Sequence, residues 1–286
     1  MHSNIRETHI LGRQTRYLVT RSGEDDDRDW LQNAPVSTAL RRYQIAHCGV
    51  MHARRPFEIV RLNLSGTFFL ACFDGAGEVL VDGSWQTVEA GTACLQPPFI
   101  PNALKANRTK NWSFVWVRYE GKLRPLPAVS THSPVIGLFN PSAMRLAMEG
   151  LHGASLNAES PAIVQHWIEL VHGYVLSFAQ TFQSDGRLLP LWSTVERQLN
   201  SPWTVERMAR LVGMSKEHLR RVSIQTLGRT PMQHVTFLRM RQAAELLATT
   251  DQTIARIATQ VGYESSFAFS DAFQRWMGFR PSAYRE

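Results

Sequence analysis

Cysteine is scarce in this sequence. Cys48, Cys72 and Cys94 are the only three among 286 residues, and they lie far apart. An odd number of widely separated cysteines excludes a framework of paired disulfides, and no CxxC spacing exists that could hold zinc. We therefore predict three reduced, buried thiols, as is usual in a reducing compartment.

Long apolar runs are missing as well. The longest fully apolar run, Phe68–Phe73, has six residues, whereas a membrane-spanning helix needs roughly 20. The first residues, MHSNIRETHILGRQ, lack the apolar core of a secretory signal peptide. These absences predict a soluble cytoplasmic protein without a membrane partner.

Motifs for catalysis are also lacking. No HxH pair, Gly-rich phosphate loop or supported nucleophile–base pair occurs in the chain. His47 and His52, five residues apart, precede the predicted strands and are expected to be surface histidines. The sequence predicts a protein that is not an enzyme and that holds no metal and no cofactor.

The charge is unevenly distributed. The formal net charge is +7, and residues 187–286 hold 14 Lys/Arg against 8 Asp/Glu, whereas residues 1–186 hold 17 against 16. A basic segment of this size is either a solvated surface or a surface for a polyanion, because release of condensed counterions drives binding to nucleic acid.

Strand patterns dominate residues 57–120. The segment FEIVRLNLSG alternates, Asp82-Gly83 forms the turn of a hairpin between Glu78–Val81 and Trp85–Val88, and Pro97 ends the strand in TACLQPP. The segment WSFVWVRYEG is rich in aromatic and β-branched residues. Short antiparallel strands of this kind predict a barrel or sandwich.

This region resembles a cupin-type β-barrel. The segment PPFIPN lies where such barrels carry Pro-x-x-His, but Asn102 stands in place of the histidine. A barrel without metal ligands is expected to bind a small molecule, a sugar or an aromatic metabolite. The predicted effector-binding residues are Arg61, Asn63, Phe69, Asn102 and Trp116.

A long helix with two apolar faces is predicted from Ser160 to Gln180. One stripe consists of Ile163, Trp167, Leu170, Val171, Tyr174 and Phe178, and Val164, Ile168 and Val175 widen it. One face is expected to pack on the barrel. The other faces either a second subunit, in a homodimer, or the interior of its own domain.

One pattern occurs twice near the end of the chain. Apolar residues at i, i+3, i+4 and i+7 predict an amphipathic helix in each copy: Val205, Met208, Ala209 and Val212, then Ile254, Ile257, Ala258 and Val261. Gly213 and Gly262 end these helices, and Ser215 caps the next helix of the first copy.

The second helix of each copy has its own buried positions. They are predicted to be Leu219, Val222 and Ser223, then Phe269, Ala272 and Phe273. The copies are offset by 49 residues up to the glycines and by 50 afterwards. Two helices joined by a glycine turn, with basic residues on the second, indicate a helix-turn-helix. Residues 231–249 between the copies predict one continuous linker helix.

The segment IARIATQVGYESSFAFSDAFQRWMGFRPSAYR resembles the AraC/XylS family of bacterial transcription regulators. It is close to the family pattern of I-x-x-I-A-x-x-x-G-[FY], an F-x-x-x-F pair and G-x-x-P-x-x-Y-R. The resemblance is specific over Leu191 to Arg285 and looser over the barrel. It implies a transcription activator with two helix-turn-helices in successive major grooves of double-stranded DNA, an effector domain, a homodimer and RNA polymerase as partner.

The resemblance also assigns DNA-binding positions. They are Ser215, Lys216, Glu217, Arg220 and Arg221 in the first copy, and Ser265, Ser266, Phe267, Ser270, Asp271, Gln274 and Arg275 in the second. Arg220 or Arg221 is expected to contact guanine, and Lys216 a phosphate. Asp271 stands where relatives carry a basic residue, so the second copy is expected to bind DNA more weakly.

The sequence therefore predicts an α+β protein of two domains. Residues 1–182 form an effector-binding and dimerisation domain, with a cupin-like β-barrel at about 35–125 and helices at about 140–182. Residues 183–190 are a linker, and residues 191–286 form an all-α DNA-binding domain with two helix-turn-helix motifs joined by a linker helix. Two alternatives remain: an architectural DNA-binding protein without effector control, and a cupin enzyme with an appended DNA-binding module.

Overall fold

The computed structural model of this chain describes residues 7–26, 28–61, 65–107, 111–120, 134–181 and 188–284. The chain divides into two units. The first comprises Glu7–Pro98 and Asn102–Thr181, and residues 188–284 make up the main body of the second. In the part of the chain that the structure describes, no helix is long and apolar enough to cross a membrane.

The first unit is built on a curled antiparallel sheet with the strand order β1-β4-β8-β5-β9-β3-β2. Off this path, β6 and β7 pair with β5, and β10 pairs with β7. The strands are β1 Glu7–Leu11, β2 Arg16–Arg21, β3 Ile45–Ala53, β4 Phe57–Arg61, β5 Phe68–Val81, β6 Ser84–Glu89, β7 Thr92–Gln96, β8 Asn102–Ala106, β9 Trp112–Tyr119 and β10 Val135–Leu138.

The long strand β5 makes the sheet curl. Its first part, Phe68–Cys72, pairs with β7, and its last part, Ala76–Val81, pairs with β6. The pairing with β9 is shifted by a bulge between Cys72 and Asp74, and bulges bend strands locally. Gly75, at φ 72°, follows the bulge, and a Cβ atom there would lie 1.7 Å from the carbonyl oxygen of Asn111. The bend therefore requires glycine at this position.

The hairpin is as expected. Asp82 and Gly83 both have positive φ, 53° and 74°, which is the two-residue turn that matches strand twist. The sheet extends beyond the predicted range of 35–125, because β1, β2 and β10 lie outside it. The polar edge strands β1 and β2 carry few apolar residues, so their sequences show no strong alternation.

The two faces of the sheet are both covered. On β9, Trp112, Phe114 and Trp116 point to the inner face, where they join the main hydrophobic cluster of the unit. Phe69 of β5 lies on the other face and packs edge-on against Phe178 at 5.5 Å between ring centroids. The alternation along each strand therefore separates an inner face, which carries this cluster, from a face covered by helices.

Among the described residues, this unit contains two α-helices, α1 Ser142–Leu156 and α2 Pro161–Thr181, and two 3-10 helices, Asp29–Leu31 and Thr38–Tyr43. The buried face of α2 consists of Val164, Ile168, Val171, Val175, Phe178 and Ala179. Ile163 and Leu170 are 43% and 48% exposed. The predicted main stripe was therefore wrong in part. Val171 and Phe178 are buried as predicted, together with the residues expected only to widen the stripe, but Ile163 and Leu170 point outward.

The second unit is helical. Its helices are α3 Leu189–Arg197, α4 Val205–Leu211, α5 Lys216–Leu227, α6 Pro231–Thr249, α7 Ile254–Gln260 and α8 Ser266–Met277, followed by a 3-10 turn at Pro281–Tyr284. The predicted linker at 183–190 lies largely outside the described residues, since the description resumes at residue 188.

Helix α6 is the central element of this unit. Thr230 and Gln233 form a capping box, and Pro231 occupies the first turn, as a stable helix start requires. The helix packs against α5, α7 and α8. Leu246 of this helix is only half-buried. Buried residues surround the helix more widely than one stripe: Pro231, His234, Val235, Phe237, Leu238, Met240, Ala243, Ala244 and Leu247.

Candidate nucleic-acid interface

The first helix pair consists of α4 and α5. The Thr204 hydroxyl accepts a hydrogen bond from the Arg207 amide at 3.2 Å, and the Ser215 hydroxyl accepts one from the His218 amide at 3.1 Å. These N-caps satisfy amides that would otherwise lack partners, so each helix begins where the sequence predicted. Gly213 lies between the helices at φ 63°, a conformation that favours glycine.

The second pair, α7 and α8, repeats this construction. Thr253 caps α7 through the Arg256 amide at 3.2 Å, and Ser265 caps α8 through the Ala268 amide at 3.4 Å. Gly262 has φ 89°. The change of offset from 49 to 50 residues is explained by the turn, because Gly213 precedes its cap by two residues and Gly262 precedes its cap by three.

All six predicted buried positions of α5 and α8 are buried. They are Leu219, Val222, Ser223, Phe269, Ala272 and Phe273. The opposite face of α5 is open to solvent at Lys216, Glu217, Arg220 and Arg221. These four side chains lie on a single face, as contact with a DNA groove requires.

Lys216 and Arg221 already have protein contacts. Lys216 Nζ lies 2.9 Å from Glu206 Oε1 of α4, and this hydrogen bond lowers the pKa of the Glu206 carboxyl. Arg221 Nη2 lies 2.9 Å from His218 Nδ1. Both pairs are exposed, so the cations exchange partners at little cost.

The exposed face of α8 is less basic. Phe267, Asp271, Gln274 and Arg275 are exposed, and Ser266 and Ser270 are half-buried. Phe267 is 84% exposed. A phenylalanine open to this degree does not contribute to the core.

Several arginines of the basic segment are structural. Arg229 is buried and stacks over the Phe237 ring at 4.0 Å. Arg239 donates to the carbonyl oxygens of Leu199 and Ser201 at 2.9 and 3.0 Å, and Arg241 pairs with Glu196 at 2.6 Å. The net charge of the sequence therefore overstates the charge that this unit can offer to a polyanion. The sequence pattern did not distinguish these arginines from Arg220 and Arg221.

On the inner face of the sheet, the structure brings Arg61, Asn102 and Trp116 together with other polar groups. Arg61 Nη1 donates to Asn102 Oδ1 at 2.9 Å, and Asn102 Nδ2 donates to Gln96 Oε1. Trp116 Nε1 donates to His47 Nδ1 at 2.9 Å. Of the other predicted pocket residues, Phe69 lies on the opposite face, against Phe139 and Phe178, and Asn63 lies outside the described residues.

His47 corrects one prediction. It lies in β3, is fully buried and faces this inner cluster, so the prediction of a surface histidine was wrong. Burial, together with the positive charges of Arg28, Arg118 and Arg61, holds the pKa of His47 well below its ordinary value. His52 is exposed, as predicted. The sequence contained the signal in IAHCGVMHA, an apolar stretch whose strand was missed.

The cysteines are as predicted. Cys48, Cys72 and Cys94 are buried and unpaired. Burial raises the pKa of Cys48 and Cys94 to about 12 and that of Cys72 to about 11, so all three are thiols at neutral pH. Among the described residues, no group of three or more His, Cys, Asp and Glu side chains could hold a metal ion.

Comparison with known proteins identifies the type of domain in the second unit. A model for a helix-turn-helix domain matches residues 208–286. The MmsAB operon regulatory protein of Pseudomonas aeruginosa is 38% identical over 96 residues, which cover 34% of this chain and 31% of that protein. An AraC-like transcription regulator of Streptomyces lividans is 27% identical over 277 residues, 94% of this chain and 77% of that protein.

Among solved structures, the DNA-binding domain of AdpA in complex with a target DNA is similar to 35% of this chain. The identity is 29%, 91% of that chain is covered, and the TM-score is 0.34. For the first curated relatives, the match spans about a third of their length.

The second unit therefore contains a helix-turn-helix DNA-binding domain. By its sequence relatives, this carboxyl-terminal part of the chain belongs to the AraC/XylS family of transcription regulators, as its motifs indicated.

Proposed function

We propose that the protein is a sequence-specific transcription regulator that binds double-stranded DNA through both helix pairs. The observation that carries this proposal is the repeated construction of α4–α5 and α7–α8. Each pair has a capped first helix, a glycine of positive φ and a capped second helix whose outer face is exposed. Both pairs are thus interpreted as helix-turn-helix motifs.

The central helix α6 supports a fixed spacing between the two motifs. It has 19 residues, and at 1.5 Å per residue it is about 28 Å long. A rigid element of this length is suited to placing two helices in successive major grooves, which recur at about 34 Å. The DNA-binding residues proposed are those predicted from the sequence, with α5 as the stronger contact and Asp271 weakening α8.

The sheet unit is proposed to be a cupin-like effector domain. Its support is the group of polar side chains on an otherwise apolar inner face, where Arg61 is hydrogen-bonded to Asn102 and Trp116 to His47. A ligand changes DNA binding only if it has different affinities for two states of the protein. Effector control therefore requires that binding on the inner face alters the DNA affinity of the second unit.

A homodimer is proposed to form through the outer face of α2. Ile163 and Leu170 are exposed there, and Leu146 and Leu156 of the neighbouring α1 are 59% and 64% exposed. Exposed apolar residues grouped on adjacent helices are typical of subunit interfaces. We also propose that the protein acts in the cytoplasm and that it activates transcription through contact with RNA polymerase.

Two other functions make different predictions. An architectural DNA-binding protein would show weak sequence preference and no response to a metabolite. A cupin enzyme with an appended DNA-binding module would copurify with tightly bound iron or zinc. The Asn102 side chain stands in place of the expected histidine. It is hydrogen-bonded to Arg61 and Gln96, an arrangement that does not favour binding of iron or zinc.

Selection of bound sequences from random duplex DNA with the purified full-length chain tests the proposed function. We expect an enriched sequence with two conserved blocks centred about one helical turn apart. With the variant Arg221→Ala, the conserved block contacted by α5 should no longer be enriched. The matched control is Arg197→Ala, an exposed arginine of the same unit outside the helix pairs. Failure to enrich any sequence, or a single short block unaffected by Arg221→Ala, would contradict the proposal.

A further inference from the structure

The first turn of α8 exposes an aromatic side chain. Phe267 is the second residue of this helix, which begins at Ser266 after the N-cap Ser265, and it is 84% exposed. Single exposed apolar residues are common on protein surfaces, so exposure alone does not identify a role. The position of Phe267 within its helix pair is more informative.

Phe267 occupies the position in α8 that Glu217 occupies in α5. Each is the second residue of its helix, after a serine N-cap. The Ser215 hydroxyl accepts from the amide of the third helical residue at 3.1 Å, and the Ser265 hydroxyl accepts from the corresponding amide at 3.4 Å. The first residues of the second helix in a helix-turn-helix contact base edges in the major groove. In the proposed mode of DNA binding, both side chains therefore face bases.

The exposed stripe that contains Phe267 is otherwise polar. Phe267, Asp271 and Gln274 lie at i, i+4 and i+7, and all three are exposed. The packed side of α8 faces the opposite way and consists of Phe269, Ala272, Phe273 and Met277. The ring of Phe267 therefore takes no part in the packing of α8 against the rest of the unit.

A phenylalanine ring matches one group in the major groove. It has no hydrogen-bond donor or acceptor of the kind that pairs with the polar atoms of a base edge. The apolar group exposed there by the four standard bases is the 5-methyl group of thymine. The Glu217 carboxylate has acceptors only and matches the cytosine amino group instead. The same position in the two helices thus suits different bases.

The neighbours of Phe267 on the stripe are poorly suited to guanine. The Asp271 carboxylate has acceptors only, and guanine also presents two acceptors, O6 and N7. The Gln274 amide can pair with N6 and N7 of adenine. The chemistry of this stripe therefore matches A·T pairs, whereas Arg220 or Arg221 of α5 matches guanine.

We infer that Phe267 is a specificity-determining residue that contacts the 5-methyl group of a thymine in the part of the binding site that faces α8. The inference rests on the proposed function and adds what the second motif recognises. The contact is apolar and neutralises no phosphate. It therefore contributes to sequence preference without contributing to the salt dependence of binding.

Replacement of single thymines by deoxyuridine tests the inference. Deoxyuridine lacks the 5-methyl group and keeps the hydrogen-bonding groups of thymine. In anisotropy titrations of the full-length chain with a selected duplex, each thymine is replaced in turn. We expect affinity to fall about fourfold at one of them, as for one methyl group removed from an apolar contact. At that position, 5-methylcytosine should bind better than cytosine, because it carries the same methyl group.

Variants of the protein assign the methyl contact to Phe267. In Phe267→Ala, thymine and deoxyuridine should bind equally at the sensitive position, and the slope of log affinity against log salt should not change. Phe267→Leu keeps an apolar side chain and should retain part of the preference. The matched control is Leu211→Ala, an exposed apolar residue of α4, which should retain the full preference. A thymine preference that persists undiminished in Phe267→Ala would overturn the inference.

The outcomes separate this inference from the proposed function. Sequence-specific binding that depends on no thymine methyl group supports the regulator and refutes the role of Phe267. Absence of sequence-specific binding in the unaltered chain refutes both. Because Phe267 is exposed, we expect its variants to unfold at the temperature of the unaltered chain. A change in affinity is then a change in the contact with DNA.

Discussion

At the scale of single residues, the two helix pairs present different chemistry on similar surfaces. Helix α5 exposes Lys216, Arg220 and Arg221, whereas α8 exposes Asp271 and Phe267. A carboxylate near DNA phosphates opposes binding, while arginine contacts a guanine edge through two parallel hydrogen bonds. The surface of α5 is therefore expected to contribute more to affinity than that of α8.

Substitution of Arg221 and of Asp271 should separate these contributions. Arg221→Ala is expected to cost about 1–3 kcal/mol of binding to a selected site, because a bidentate contact to guanine is lost. Asp271→Ala should leave affinity unchanged or increase it. Anisotropy titration at one salt concentration measures both. A greater loss at Asp271 would overturn this ranking.

Ser223 is a second residue with a testable cost. It is fully buried in α5, and its hydroxyl has no hydrogen-bond partner among the residues described. Ser223→Ala should therefore leave the free energy of unfolding unchanged or raise it by about 1 kcal/mol, measured by urea unfolding. Ser215→Ala is the matched control, because loss of that N-cap should lower stability by about 1 kcal/mol. A clear loss at Ser223 would reveal a partner for its hydroxyl.

His47 makes the stability of the sheet unit depend on pH. Its pKa is lowered in the folded protein by burial and by neighbouring arginines, so the unfolded chain binds a proton more readily. Stability should therefore fall as the pH drops below about 6.5, the ordinary value for histidine. The free energy of unfolding, measured with urea between pH 5 and 8, should depend less on pH in His47→Gln than in the unaltered chain. An identical pH dependence in that variant would assign the effect to other groups.

At the scale of elements, the glycine turns were predictable and their neighbours were not. The repeat placed Gly213 and Gly262 at the ends of α4 and α7, and both have positive φ. Sequence spacing could not show that their surroundings differ. A Cβ atom at Gly262 would lie 2.9 Å from the Leu199 carbonyl oxygen, whereas one at Gly213 would have no described atom within 4 Å.

Alanine substitutions should report this difference. Gly213→Ala should cost about 1–2 kcal/mol, because only the left-handed conformation is penalised. Gly262→Ala should cost more, since Leu199 or Arg239 must also move. Thermal unfolding of the two variants, compared with the unaltered chain, gives the ranking. Equal losses would mean that the turn at Gly262 relaxes freely.

The sheet was harder to derive than the helical unit. Amphipathic helices and their caps follow from local spacing, and the buried positions of α5 and α8 were all correct. In the sheet, the face on which a residue lies depends on register, and one position separates Phe68 on the inner face from Phe69 on the outer face. The short edge strands β1 and β2 had no comparable local signal, and the apolar stretch that forms β3 and contains His47 was missed.

At the scale of the whole molecule, the salt dependence of DNA binding is expected to reflect which arginines are exposed and which are buried or paired within the protein. The arginines buried or paired within the helical unit contribute to its stability. In the proposed mode of binding, the cations that displace counterions from DNA are those on the exposed faces of the helix pairs. The salt dependence of binding is therefore expected to be smaller than the net charge of this segment suggests.

The slope of log affinity against log salt concentration tests this distinction. Lys216→Ala should reduce the slope by about 1, as expected when one phosphate contact is lost. Arg241→Ala removes the same charge but breaks the Arg241–Glu196 pair, so it should lower stability and leave the slope unchanged. Equal changes in slope would indicate that both cations act through the general field of the domain.

The unequal interiors of the two repeated helices have a consequence for how the repeat evolves. Ser223 of α5 corresponds to Phe273 of α8, which packs edge-on against Tyr284 at 5.1 Å. Copying α8 onto α5 by gene conversion would force an aromatic ring into a serine-sized space, and the reverse exchange would leave a hollow beside Tyr284. Homogenisation of the copies is thus penalised by packing alone. If both pairs bind DNA as proposed, each outer surface is free to specialise for its own half of an asymmetric operator.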